Sequence, residues 1–178
     1  MKVKITEVKP PQSYYPKNPF NTISIFLAGS IEMDKAEMWQ DQIFKRIKSI
    51  GTSNKSIEEI VIYNPRRDNW DSSWEQSIED VNFVKQVEWE LEHIEQSNLV
   101  IFYLQPGTKS PISLMELGIV SKESLSNEKN VIVLCPDGFH RKGNVDITAR
   151  WFDMNTANDM EDLVQKTIKV IDLHEFHI

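Results

Sequence analysis

Four short runs of continuous apolar residues constrain the fold of this chain most strongly. They read TISIFLA, EEIVIY, NLVIFYL and NVIVLC, and amphipathic or polar segments separate them. A strand that is apolar on both faces must be covered on both faces, which is the pattern of a parallel sheet with helices on each side. The sequence therefore predicts an α/β fold of doubly wound type, with a sheet of about five strands.

The segments around these runs set the expected order of elements. VKITEV alternates like an edge strand, so residues 1–21 are expected to form a strand or arm followed by a Pro-rich loop. Helices are expected over 34–50, 78–96 and 111–124 and near the end of the chain, and VDITARWF (145–152) is expected to be a short fifth strand. A length of 178 residues fits one domain covering the whole chain.

Composition narrows the classes of function. The formal net charge of −7 argues against a general nucleic-acid or membrane-surface binder, because both need a positive field. One cysteine and four scattered histidines give no metal pattern, there is no GxSxG nucleophile motif, and no cofactor is expected. No apolar stretch approaches ~18 residues and the start lacks a signal-peptide core, so we expect a cytoplasmic protein without a membrane span.

The carboxyl ends of the strands are the expected place for a ligand in a doubly wound sheet. Four segments follow strands there: AGSIE, NPRRDNW, YLQPGTKSPIS and PDGFHRK. In the first, backbone N–H groups of Gly29 and Ser30 are candidates to bind a hydroxyl or phosphate oxygen. The alternative is a tight turn in which Ser30 caps the next helix.

The second of these segments has an unusual density of charged and aromatic side chains. Arg66, Arg67, Asp68 and Trp70 are consecutive or nearly so in NPRRDNWDSSW. Arginine binds carboxylate or phosphate through two hydrogen bonds, and tryptophan offers a face on which a base stacks. The alternative is a salt-bridged loop that Trp70 and Trp74 anchor to the core.

Two glutamates stand among apolar residues at helical spacing. In SPISLMELGIV, the neighbours of Glu116 one helical turn away on either side are Ile112, Ser113, Ile119 and Val120. Glu90 has a similar setting in QVEWELEHIEQ. A buried ionised carboxylate is costly unless it is paired or used, so the two form a candidate acid–base or nucleophile pair, although each can also be a structural hydrogen-bond acceptor. Gly118 costs ~1 kcal/mol within a helix, which predicts a close approach there.

Taken in order, IFLAGSI, NPRRDNW, QVEWELEHIEQSN and PISLMELG resemble the nucleoside 2-deoxyribosyltransferase superfamily, and most closely its nucleoside 2-deoxyribosyltransferase-like domains. The resemblance runs from about Ile23 to Val145. It implies a flavodoxin-like fold, a homodimer or higher homo-oligomer, and attack by Glu116 on the anomeric carbon of a deoxynucleoside. Glu90 aligns with an acidic residue that lies close to the sugar or base.

The resemblance also implies roles for residues around these carboxylates. The Gly29–Ser30 turn is expected to lie against the sugar, and His140 or Arg141 to reach the sugar or phosphate in a neighbouring subunit. Ser110 or Ser113 stands where transferases of the superfamily have an aspartate that helps to protonate the base, and AGSIEM lacks the tyrosine usual near the first loop. Both departures leave base identity and transfer efficiency open.

These observations predict cleavage or transfer of the N-glycosidic bond of a (deoxy)nucleoside through a covalent glycosyl-Glu116 intermediate, with retained configuration. The expected partners are a small nucleoside or nucleotide and a free base, and Glu116 is expected to open onto a pocket of sugar size. Three alternatives remain. They are a 2′-deoxynucleoside 5′-monophosphate N-hydrolase with Arg66, Arg67 or Arg141 on the phosphate, an NAD glycohydrolase, and a non-catalytic nucleotide sensor.

Overall fold

A six-stranded sheet with helices on both faces forms the body of the molecule, and the computed structural model describes residues 3–32, 36–67, 73–126 and 129–176. The strands are β1 (Lys4–Val8), β2 (Thr22–Gly29), β3 (Glu59–Tyr63), β4 (Leu99–Tyr103), β5 (Asn130–Leu134) and β6 (Asn155–Ala157). The helices are α1 (Trp39–Ile50), α2 (Val81–Gln96), α3 (Pro111–Leu125), α4 (Lys142–Trp151) and α5 (Met160–Asp172). The doubly wound α/β class is confirmed, with six strands rather than about five.

The strand order places a topological switch in the middle of the sheet. The order is β1-β3-β2-β4-β5-β6, and every neighbouring pair is parallel. From β2 the chain goes outward to β3 and then returns past β2 to β4, so β2 and β4 are the neighbours between which the winding reverses. Ligands of doubly wound sheets bind outside the carboxyl ends of such a pair.

Two apolar layers cover the sheet. Phe26 and Val100 point to the layer that α2, α3 and α4 complete, whereas Ile25 and Ile101 point to the layer that α1 and α5 complete. Both layers are buried, which explains why the central strands read as continuous apolar runs. None of the helices in the described ranges is long and apolar enough to span a bilayer.

One predicted strand is wrong. VDITARWF belongs to α4, and the sixth strand is the three-residue β6 that follows it. Val145 and Ala149 are buried at a spacing of four, as a helix requires, while Ile147 and Trp151, each two residues further on, are exposed. Apolar residues on both helix faces imitate the alternation of a strand, and this misled the prediction.

Two predicted helix starts are early. Asp80 caps α2 by accepting hydrogen bonds from the backbone N–H groups of Asn82 and Phe83, at 2.9 and 3.1 Å, so this helix begins after Asp80 and not at Ile78. The first helix begins at Trp39 rather than near residue 34, and part of that segment lies outside the described residues. Gly51 ends this helix as predicted, and β1 is an edge strand as predicted.

Candidate active site

Three buried hydroxyl groups join the ends of β2 and β4. The Oγ of Ser30 lies 2.8 Å from that of Thr108 and 2.7 Å from that of Ser110, and the last two are 3.0 Å apart. The Ser30 N–H donates to the Tyr103 carbonyl at 2.9 Å, and the Gln105 N–H donates to the Ser30 hydroxyl at 2.9 Å. Ser30 therefore neither caps α1 nor offers its N–H to a ligand, contrary to both readings of the sequence.

Gly29 lets these two loops approach each other. Its φ is +135°, and a Cβ here would lie 2.4 Å from the Tyr103 carbonyl oxygen. The Ser113 hydroxyl donates to the Gly29 carbonyl at 2.8 Å, and the Glu32 carboxylate accepts from the backbone N–H of Ser110 at 2.8 Å. The first turn of α3 is thus held against the end of β2.

The inner face of α3 presents Glu116 to the interior. Glu116 is 6% exposed, beside the buried Leu117 and Val120. Of the residues expected to shield it, Val120 is buried on the same side, whereas Ile112 and Ile119 are 55% and 45% exposed. The expectation was wrong for these two isoleucines because i±3 and i±4 neighbours span a wide arc of a helix, and Glu116 lies at the border between the two faces.

The outer face of α3 is an exposed apolar stripe of Ile112, Met115 and Ile119. Gly118 is also exposed, and a Cβ added to it meets no atom within 4 Å. The close approach predicted at Gly118 is therefore not present in the described part of the chain.

The two glutamates influence each other electrostatically. Burial raises the pKa of Glu116 to about 8, and the negative charge of Glu90 contributes to the shift. Burial also raises the pKa of Glu90 to about 7, against the opposing effects of a hydrogen bond from Gln86 and the charge of Arg67. No described residue donates a hydrogen bond to the Glu116 carboxylate. A pair of this kind can supply both a proton and a carboxylate near neutral pH.

Gln86 is a site residue that the sequence reasoning missed. Its Nε2 donates to the Glu90 carboxylate at 2.6 Å, and its Oε1 accepts from Arg67 Nε. The Arg67 guanidinium also lies 4.8 Å from the centre of the Trp74 ring. The only signal in the sequence was that Gln86 stands four residues before Glu90 on the same helical face.

The remaining predicted residues lie farther out on this edge of the sheet. Arg66 donates to the Glu37 carbonyl at 3.1 Å, beside the β4 loop. His140 and Arg141 are exposed after β5, and no hydrogen bond or ion pair joins them to either glutamate within the described ranges. Asp68 and Trp70 lie outside the described residues.

The match to a family model decides the relationship to known proteins. The model described as "Nucleoside 2-deoxyribosyltransferase like" matches residues 22–139, well over half of the chain. The chain belongs to this family. The nucleoside 2-deoxyribosyltransferase-like region spans both glutamates and the hydroxyl cluster, whereas His140 and Arg141 lie just beyond it.

One solved structure supports the fold independently. A crystal structure of a conserved protein from Enterococcus faecalis V583 is similar to this chain with a TM-score of 0.55 and 16% sequence identity. The similarity covers 83% of this chain and 98% of that one, and at such identity it shows the fold alone. No curated protein matches the chain significantly.

A cavity of about 350 Å³ lies at the amino ends of β2 and β4, and neither Glu116 nor Glu90 lines it. The sugar-sized pocket expected beside Glu116 therefore stays a prediction.

Proposed function

We propose that the protein cleaves the N-glycosidic bond of a 2′-deoxynucleoside and passes the sugar to water or to a second base. The observation that carries the proposal is Glu116: a buried carboxyl group without a hydrogen-bond donor among the described residues, beside a second acidic group. Family membership supports the same class of reaction. A fold does not retain such a destabilising pair for packing alone, which favours a chemical role.

The proposed first step uses both carboxyl groups. The ionised Glu116 oxygen attacks C1′, the C1′–N bond breaks, and the electron pair of that bond leaves with the base. Between about pH 7 and pH 8 the pair holds a single proton, mainly on Glu116, the group of higher pKa. In the reactive form this proton has moved to Glu90, and from there it passes to the departing base. A covalent glycosyl-Glu116 ester results, and a water molecule or an acceptor base then attacks C1′ from the face that the first base left.

The positions around the pair suit these roles. Burial strengthens the attraction between a carboxylate and the cationic sugar of the transition state, because the effective dielectric constant is low. The Gln86 hydrogen bond holds the Glu90 side chain in one orientation. Ser113, through its bond to the end of β2, fixes the turn of helix that carries Glu116.

Base release from a panel of deoxynucleosides, followed by chromatography with and without an acceptor base, tests the proposal. Glu116→Gln is expected to lower kcat/KM for base release by at least about a thousandfold, as loss of a nucleophile does. Glu88→Gln, at an exposed position on α2, is the matched control and should retain wild-type activity. Undiminished base release by Glu116→Gln would refute the proposed mechanism.

A 5′-monophosphate is the second candidate substrate, and Arg66 favours it. One Nη of Arg66 donates to a carbonyl oxygen, while the other N–H groups of the guanidinium have no partner in the described part of the chain. Guanidinium groups of this kind bind phosphate through paired hydrogen bonds. A lower KM for the monophosphate than for the nucleoside, abolished by Arg66→Met, identifies the nucleotide as substrate. Equal KM values identify the nucleoside.

We also propose a homo-oligomer that packs through the outer face of α3. Its stripe of Ile112, Met115 and Ile119 is exposed, as are Ile147 and Trp151 on the neighbouring α4. Exposed apolar side chains clustered on one helix face are typical of an interface. Sedimentation is expected to give a mass above that of one chain, and Ile119→Lys is expected to shift the mass to that of one chain. A monomeric wild-type protein would contradict the proposal.

A further inference from the structure

The cavity of about 350 Å³ lies on the face of the sheet that carries α2, at the amino ends of β2 and β4. Its floor consists of the small side chains of Thr22, Ser24 and Val61, and residues 13–19 of the N-terminal loop form its roof. Because α2 runs antiparallel to the strands, the cavity lies at the end of α2 away from Gln86. The volume is at the lower end of the range for small-molecule sites, about 300–1,000 Å³.

Hydrogen bonds fix the walls of this cavity. The Tyr14 hydroxyl donates to the Glu59 carboxylate at 2.5 Å, and the Trp89 ring N–H donates to the Gln12 carbonyl at 2.9 Å. The first bond ties the loop to the sheet and the second ties it to α2. The cavity is therefore already formed without a ligand, which is the usual state of a binding site.

Two polar atoms of the lining residues have no hydrogen-bond partner in the described ranges. His93 Nδ1 lies 2.6 Å from the Trp89 carbonyl oxygen, and since a carbonyl only accepts, Nδ1 carries the hydrogen and Nε2 of the neutral ring presents a lone pair. His93 Nε2 and the Tyr63 hydroxyl are not among the fully buried unpaired atoms, so a ligand or water in the cavity can reach both of them.

The remaining polar groups indicate what kind of molecule satisfies them. The Glu92 carboxylate in the lining is a hydrogen-bond acceptor. Burial raises the pKa of Tyr63, and the negative charge of Glu92 raises it further. The Asn98 amide accepts from Ser24 through its oxygen, while its nitrogen has no partner among described residues. Aromatic rings supply flat apolar surface, and no described lysine or arginine lines the cavity to balance a phosphate.

We propose that this cavity is a second binding site, separate from Glu116, for an unphosphorylated planar nitrogen heterocycle of the nucleobase class. The ring N–H or amino group of such a ligand donates to His93 Nε2 and Glu92, and its carbonyl or ring nitrogen accepts from Tyr63 or Asn98. Its faces lie between the aromatic walls. The proposal does not depend on the reaction at Glu116, because the cavity lies at the amino ends of the strands and Glu116 does not line it.

Imidazole ¹⁵N spectra of the full chain test this proposal, since His93 reports on the cavity alone. The His93 signals are assigned by elimination, using single variants of the other three histidines. Adenine, cytosine and AMP are then titrated into the Glu116→Gln variant. We expect either free base to shift the His93 Nε2 signal with saturation, and AMP to bind at least about tenfold more weakly, because its phosphate meets Glu92 and no cation.

Variants give the second readout. Tyr63→Phe removes only a hydroxyl and Glu92→Gln only a charge, and each is expected to weaken base binding about threefold to tenfold. Glu95→Gln, an exposed neighbour on α2 that does not line the cavity, should leave binding unchanged. The absence of a His93 shift with both bases, equal binding of AMP and adenine, or unchanged affinity in Tyr63→Phe and Glu92→Gln would each overturn the proposal. Base release by the wild-type protein is measured separately, so the two proposals fail independently.

Discussion

Replacing Glu116 with glutamine is expected to stabilise the fold at high pH. In the unfolded chain this carboxyl group has its ordinary pKa of 4.5, whereas in the folded chain burial raises the pKa to about 8. Between these two values the unfolded chain has released the proton and the folded chain still holds it. Wild-type stability therefore falls as pH rises, by ~1.4 kcal/mol per pH unit, and the loss reaches ~5 kcal/mol once the pH exceeds the folded pKa.

Urea unfolding between about pH 3 and pH 9 measures this effect, with glutamine preserving the shape of the side chain. At the acid end the carboxyl group is protonated in both states, so the difference between the wild type and Glu116→Gln is only that between acid and amide. From there the free energy of unfolding of the variant should rise relative to wild type and level off above pH 8. Glu88→Gln, at an exposed position, should run parallel to wild type throughout.

Parallel curves for the wild type and Glu116→Gln would refute the reasoning. They would mean that this carboxylate ionises in the folded state at no cost and is therefore well hydrated. A hydrated carboxylate is a poor nucleophile toward a sugar in competition with water, and the shielding on which the proposed transfer depends would be absent. A gain in stability together with a loss of activity is, by contrast, the behaviour of a residue kept for function.

Three further changes have definite expected outcomes. Glu90→Gln removes a negative charge that raises the pKa of Glu116, so the acidic limb of the kcat/KM profile for base release should move to lower pH, without reaching 4.5 because burial is the larger cause. Lys129→Met removes a buried ammonium group that donates to three backbone carbonyls in the last turn of α2 and at its C-cap, and should cost ~3 kcal/mol in urea unfolding. Gly29→Ala places a Cβ 2.4 Å from a carbonyl oxygen and should prevent folding measured by circular dichroism, whereas Gly118→Ala meets no atom within 4 Å and should raise stability by ~1 kcal/mol.

The main strands were predictable because their signal is local. Each of TISIFLA, EEIVIY, NLVIFYL and NVIVLC contains consecutive apolar residues, which point alternately to the two faces of a strand. Burial on both faces therefore follows without any knowledge of the neighbouring strands. The segment 145–152 was not predictable for the opposite reason. Its apolar residues fit a period of two and a period of 3.6, and only packing of Val145 and Ala149 against the sheet selects the helix.

In the candidate site, too, local features were predictable from the sequence and long-range contacts were not. The burial of Glu116 was predicted from neighbours within one helical turn, of which Val120 is buried with it and Ile112 and Ile119 are exposed. The hydroxyl cluster joins Ser30 to residues 78 and 80 positions later, and Arg67 reaches Gln86 across a loop. Such contacts depend on which loops the sheet order brings together, and no local pattern encodes them.

The helix α3 shows why a buried carboxylate and an exposed apolar stripe belong together. Leu117 and Val120 face the core, Met115 and Ile119 face outward, and Glu116 lies on the border between the two faces. We infer that water would reach the carboxylate of a single chain from this border. A second copy packed on the stripe would cover the outer side of α3 and leave free the side toward β2, which Ser113 contacts. Association would then exclude water from Glu116 without covering the strand ends, and of the two proposed acceptors it would favour the base over water.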